Sequence, residues 1–183
     1  LNNRSEEPEL EKNFLNAEAL LIAFPLYTDA MPGMVKEYFE MLERYKRVNP
    51  MVKMGFIVQS GFPESYHSIF VSRYLKKFAE DMEADYLGTA IRGGIEGIKI
   101  QPSWMTKKTY LLFHELGELF GKYGRFDKKV IKKLSKPVRL SPFRLLMYRF
   151  MSLTGLSNYY WNYQLKQNDA YEQRFNQPYK NVE

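Results

Sequence analysis

Residues Ala19 to Leu42 read ALLIAFPLYTDAMPGMVKEYFEML, and the fold turns on how this stretch is divided. Ala19 to Phe24 is a short continuous apolar run of the kind expected when both faces of a parallel sheet are covered by helices. Pro25-Leu26-Tyr27-Thr28 ends that strand. Pro32 suits the start of a helix, where its missing N–H costs nothing. Beyond it, Met34, Val35, Tyr38, Phe39, Met41, Leu42 and Tyr45 recur at helical spacing, with Lys36, Glu37, Glu40, Glu43 and Arg44 on the other side. Arg44, Lys46 and Arg47 favour the helix end electrostatically, and Pro50 closes the unit.

The unit repeats outward from this stretch. Glu9 to Asn16 completes a helical turn or two before the first strand. Met54 to Val58 is a second apolar run, ending in QSGFPESY, and helical spacing returns at Tyr66, Phe70, Tyr74, Phe78 and Met82. A third strand is expected over Tyr86 to Ile91, followed by the loop RGGIEG and a helix from about Ser103 to Lys122. Strand, helix, strand, helix, strand, helix predicts a parallel sheet with right-handed crossovers. Beyond Gly124 the pattern is helical and less regular: a basic segment Asp127 to Leu134, then SPFRLLMYRFM, then the aromatic-rich NYYWNYQLKQNDAYEQRF. The expected division is an α/β domain over residues 1–124 and a helical extension over 125–183, packing on that domain or on a dimer partner.

Composition bounds the chemistry. The 183 residues include 45% apolar and 16% aromatic residues, enough for a core. With no cysteine, a disulfide framework, a thiolate zinc site and an iron–sulfur cluster are excluded within these residues, and a reducing, cytoplasmic setting is expected. No apolar run approaches the roughly 20 residues that span a bilayer. The net charge of +6 makes anionic partners plausible, and the excess collects between Gly121 and Phe150. That basic, partly amphipathic segment reads first as a solvated helix face; it could also rest on an anionic membrane or contact nucleic acid, but packing back on the domain or across a homodimer explains both it and the aromatic stretch behind it better, and no nucleic-acid partner is expected.

In an open parallel sheet, ligands bind outside the carboxyl ends of the strands. The three unusual turns PLYTDAMPG, QSGFPES and RGGIEG all fall there. Small and φ-restricted residues beside aromatic ones let backbone amides approach a planar polar ligand while a side chain covers its face. His67 and His114 lack metal-ligand spacing, and HELGE lacks the second histidine of a zinc-protease motif. Asp29 and Glu64 flank the expected site without a spacing that assigns them a proton-transfer role, and Ser60 and Ser65 have no visible base partner.

Pro25, Tyr27, Pro32, Gly33 and Lys36 resemble, position by position, the strand-turn-helix segment of the NAD(P)H-dependent FMN reductase and quinone reductase group within the flavodoxin-like superfamily. Ser60-Gly61-Phe62-Pro63-Glu64 is similar to the next flavin-side loop, and GTAIRGGIEGI is similar to a subgroup. The likeness covers roughly Ala17 to Gln101. It implies a three-layer α-β-α fold and a flavin-dependent oxidoreductase that passes hydride from NAD(P)H through FMN, or FAD, to a small acceptor, in a homodimer. It also implies the cofactor-binding residues: Pro25, Leu26, Tyr27 and Thr28 along the isoalloxazine ring, Gly61 and Phe62 at its pyrimidine side with Ser60 beside them in the second loop, and Gly93 and Gly94 from the third loop. The superfamily's first strand and its phosphate-holding loop have no counterpart in these residues. Together with the opening Leu1, that departure leads to the expectation of a longer parent chain; a noncatalytic module of the same fold is the alternative.

Overall fold

The computed structural model describes residues 7–27, 29–49, 52–62, 64–136 and 141–177. It divides into two compact units, Leu1–Val138 and Arg139–Glu183.

In the first unit, helix α1 (Glu7–Leu15) leads into β1 (Ala19–Pro25), α2 (Gly33–Glu43), β2 (Lys53–Gln59), α3 (Ile69–Asp81), β3 (Asp85–Arg92), α4 (Ser103–Tyr123) and α5 (Lys128–Leu134). The strands pair in the order β1-β2-β3, all parallel, with Ala19 opposite Lys53 and Pro25 opposite Gln59. Pro32 stands as the N-cap of α2 rather than inside it.

Strand alternation divides the core between two layers of helices. Met54, Phe56 and Val58 of β2 point into a cluster with Leu20, Ile22 and Phe24 of β1, Phe14 of α1, Phe39 and Leu42 of α2, and Leu75 and Phe78 of α3. Phe39 stacks on Phe78 with centroids 4.5 Å apart and meets Phe56 edge-on at 6.1 Å. On the opposite sheet face, Ile57 and Ala90 join Leu112 and Leu116 of α4 and Val130 and Leu134 of α5. Helices therefore lie on both faces of a parallel sheet, the α/β arrangement expected from the alternating pattern.

The second layer is fitted to glycines. A Cβ on Gly55 would lie 2.8 Å from both Leu21 and Phe126. Between Met54 and Gly55 the β2-β3 register shifts, and Gly88 takes up the irregularity at φ 121°, a backbone region closed to residues with a Cβ.

Two expectations change. The apolar run of β1 is covered on one face only: Phe24 is buried, whereas Leu21 is 46% exposed and Ala23 is exposed. No further strand pairs with the outer edge of β1 among the described residues. The unit boundary also falls later than Gly124, because Asp127 caps α5 through Oδ1 to the N–H groups of Lys129 and Val130, at 2.8 and 2.9 Å, and Phe126, Val130 and Leu134 are buried in the second cluster.

The second unit holds α6 (Pro142–Leu153), a 3₁₀ turn (Leu156–Asn158), α7 (Tyr159–Gln167) and a second 3₁₀ turn (Tyr171–Gln173). Gly155, at φ 73°, makes the reversal between α6 and the turn. Among its described residues none is buried.

Candidate functional site at the carboxyl edge of the sheet

Three loops leave the carboxyl ends of β1, β2 and β3, and backbone hydrogen bonds knit them together. Leu26 N–H donates to Gln59 O at 2.7 Å, extending the β1-β2 pairing past Pro25. Ser60 N–H donates to Arg92 O at 3.1 Å, which extends the β2-β3 pairing in the same way. Loop three then folds back on loop two through Gly94 N–H to Phe62 O at 2.8 Å and Ile95 N–H to Ser60 O at 3.3 Å. Gly94 has φ 69° and supplies that reversal at no steric cost.

The expected site residues separate into two sets. Leu26 and Ser60 are buried, and the Ser60 hydroxyl donates to Phe62 O at 3.2 Å. That hydroxyl stabilises the turn of loop two. Pro25 is half-buried and Gly93 is buried; both belong to the framework. Tyr27 and Phe62, in contrast, are 64% and 54% exposed, and Gly61 is exposed between them in sequence terms, one residue before Phe62. Thr28 lies outside the described residues, as does Pro63. A Cβ on Gly61 would come within 2.5 Å of Glu96 Oε2, the far end of an exposed, flexible side chain of loop three that can swing aside.

Loop one is a tight turn. Tyr27 N–H donates to Ala30 O at 2.9 Å and Ala30 N–H returns a bond to Tyr27 O at 3.0 Å. Asp29 sits inside this turn at φ 63°, a left-handed conformation that Asp tolerates better than most residues. From there its carboxylate accepts a hydrogen bond from His67 Nδ1 at 2.9 Å. The His67 ring packs against Phe62, centroids 4.9 Å apart, and against Tyr66 at 4.1 Å. Asp29 and His67 thus clasp loops one and two. Sequence reasoning left both without a role, since they are 38 positions apart and only the parallel pairing of β1 and β2 brings their loops together.

No family model matches the chain, and no curated protein matches it. Among solved structures, the chain is similar to the crystal structure of an NADPH-quinone reductase from P. pentosaceus, at 16% sequence identity and a TM-score of 0.42, over 56% of this chain and 67% of that one.

Arg92 is the cation of the edge that sequence reading did not single out. Its guanidinium donates to Thr109 Oγ1 of α4 at 3.1 Å and to Leu134 O at the end of α5 at 3.4 Å. Ser65 donates to the neighbouring Ser135 O at 2.6 Å. These donors satisfy the open carbonyls at the α5 terminus, where the helix dipole also favours a cation. Burial lowers the Arg92 pKa from its ordinary value. Arg92 Nε is buried and has no partner among the described residues.

No cluster of three or more His, Asp or Glu side chains suited to a metal occurs among the described residues. A cavity of about 350 Å³ lies elsewhere, lined by Glu43, Lys46, Tyr74, Lys77, Phe78, Asp81 and Met82. It sits at the C-terminal ends of α2 and α3, which run opposite to the strands, and so is remote from the carboxyl edge. The edge presents two exposed rings, Tyr27 and Phe62, over a base of backbone hydrogen bonds between the loops.

Proposed function

We propose that the carboxyl edge binds the isoalloxazine ring of FMN, or of FAD, and that the chain is a flavodoxin-like oxidoreductase moving hydride from NAD(P)H to a small acceptor such as a quinone or a free flavin. The observation that carries this reading is the pair of exposed rings, Tyr27 and Phe62, held at the ends of neighbouring strands by the Asp29–His67 contact. Planar ligands gain from aromatic packing, and the Phe62 ring, already stacked on His67, loses little freedom on binding. The flavin, when bound, supplies the redox chemistry, accepting hydride from a nicotinamide and passing it on.

The residues present fit the ring by packing. The N–H groups of Leu26 and Tyr27 already donate to Gln59 O and Ala30 O, so on this side the protein offers surfaces rather than those two donors. Tyr27 and Phe62 would cover the ring, and the Asp29–His67 contact keeps loop one in register with loop two. Arg92 and Ser60 hold the edge rigid from beneath.

The Tyr27→Ala variant tests the assignment. Loss of one aromatic contact, about 0.5–1.5 kcal/mol, corresponds to a flavin affinity weaker by about two- to tenfold in a fluorescence titration. Unchanged affinity would remove Tyr27 from the site. A protein that takes up no flavin would instead be a noncatalytic binding module built on the same framework.

A further inference from the structure

The second unit displays an apolar face. At 100° per residue, Phe143, Leu146, Met147, Phe150 and Leu153 of α6 fall within an arc of about 120°. All five are exposed, Phe150 at 62% and Leu153 at 87%. Leu145 and Ser152 lie on the opposite side of the helix. Arg149, also exposed, borders the stripe on one flank. Beyond the reversal at Gly155, α7 begins with Tyr159, Tyr160 and Trp161, of which Tyr159 and Trp161 are exposed.

The charge of this stretch has one sign. Within the second unit, residues 139–168 include three arginines and one lysine and no acidic residue. An apolar stripe bordered by Arg149, followed by amphipathic aromatic rings, in a basic stretch free of negative charge, matches the two attractions of an anionic bilayer surface: burial among acyl chains, and attraction to headgroups. A protein or nucleic acid occupant accounts for half of this pattern at a time. A nucleic acid would use the cations and leave the stripe in water, whereas a second copy would bring like charge against like.

We propose that α6 docks the protein on anionic membrane by laying its Phe143-Leu146-Phe150-Leu153 stripe into the interface, with Arg149 at headgroup level. The helix rests on the bilayer and does not cross it. Its 12 residues extend about 18 Å, against roughly 30 Å of hydrocarbon, and no helix among the described residues is long and apolar enough to span.

The test is co-sedimentation of the full chain with vesicles of phosphatidylcholine alone and of phosphatidylcholine mixed with phosphatidylserine. The protein is expected to pellet with the mixed vesicles and to stay in solution with the neutral ones. Leu146→Glu combined with Phe150→Glu should lower the partition coefficient by at least about a hundredfold, since two buried apolar side chains are lost. Arg149→Glu, which spares the stripe, should lower it by at least about fivefold. Unchanged circular dichroism is expected for both variants, because the replaced side chains are exposed. The proposal is overturned if the protein stays in solution with both vesicle types, pellets equally with both, or keeps its partition in the double variant. A dimer that dissociates in the double variant, with no vesicle binding, would assign the stripe to a second copy; retention on nucleic acid without vesicle binding would assign the cations there.

Discussion

The two units spend similar apolar material in opposite ways. In the first, Phe39, Leu42, Met54, Phe56 and Leu75 are fully buried between the sheet and its helices. In the second, Phe143, Leu146, Phe150 and Leu153 recur at equally regular helical spacing and stand exposed. Periodicity reports which residues share a face; whether that face is covered depends on what else the chain places against it. The first unit has a sheet to bury its helices upon, and the second has only helices and 3₁₀ turns among its described residues.

The largest expected effect breaks this comparison if it fails to appear. Phe39→Ala removes a ring packed against Phe56 and Phe78 and should cost about 3–5 kcal/mol in denaturant unfolding. The matching Phe150→Ala, made on an exposed ring, should stay within about 0.5 kcal/mol. Equal costs would mean that the α6 stripe is covered in the free protein.

The next effect sharpens where the first unit ends. Asp127→Ala removes the side-chain acceptor that holds the Lys129 and Val130 N–H groups and should cost about 1 kcal/mol, through looser seating of Val130 and Leu134. No change in stability would place α5 outside the cooperative core.

The smallest effect concerns alkaline pH. Burial raises the Tyr38 phenol above its ordinary value, so the folded state holds this proton more tightly than the unfolded chain does. Stability from this source is complete below the unfolded phenol value and declines as pH rises from there through the folded value. Tyr38→Phe should therefore flatten the fall in Tm between about pH 9 and pH 11, a range set by the ordinary phenol value. An identical fall in the variant would assign the alkaline loss to other groups.

Much of the first unit was legible in its sequence because each element carries its own signal. The runs over Met54–Val58 and Tyr86–Ile91 mark β2 and β3 to within a residue or so, and the Pro32-Gly33 pair marks the start of α2. The openness of β1 was not legible, because the number of neighbours a strand has is not written in that strand; Leu21 and Ile22 look alike in sequence, and only Leu21 is exposed. Placing α5 with the first unit was legible in principle. Phe126, Val130 and Leu134 recur every four residues, a signal masked by the lysines between them.

At the carboxyl edge, the turns were legible from their glycines, prolines and aromatics, and the division of labour within them was not. Leu26 and Ser60 read as ligand neighbours in sequence and stand in the structure as buried framework, because extension of the strand pairing by one residue draws each inward. The Asp29–His67 contact needed two loops to meet, which no local pattern encodes.

The most direct test of the proposed function is the visible absorption spectrum of the full-length protein as purified and after addition of FMN. The account predicts the absorption bands of a bound flavin, retained through gel filtration and weakened in Tyr27→Ala. A colourless protein that leaves added FMN free in solution would contradict it.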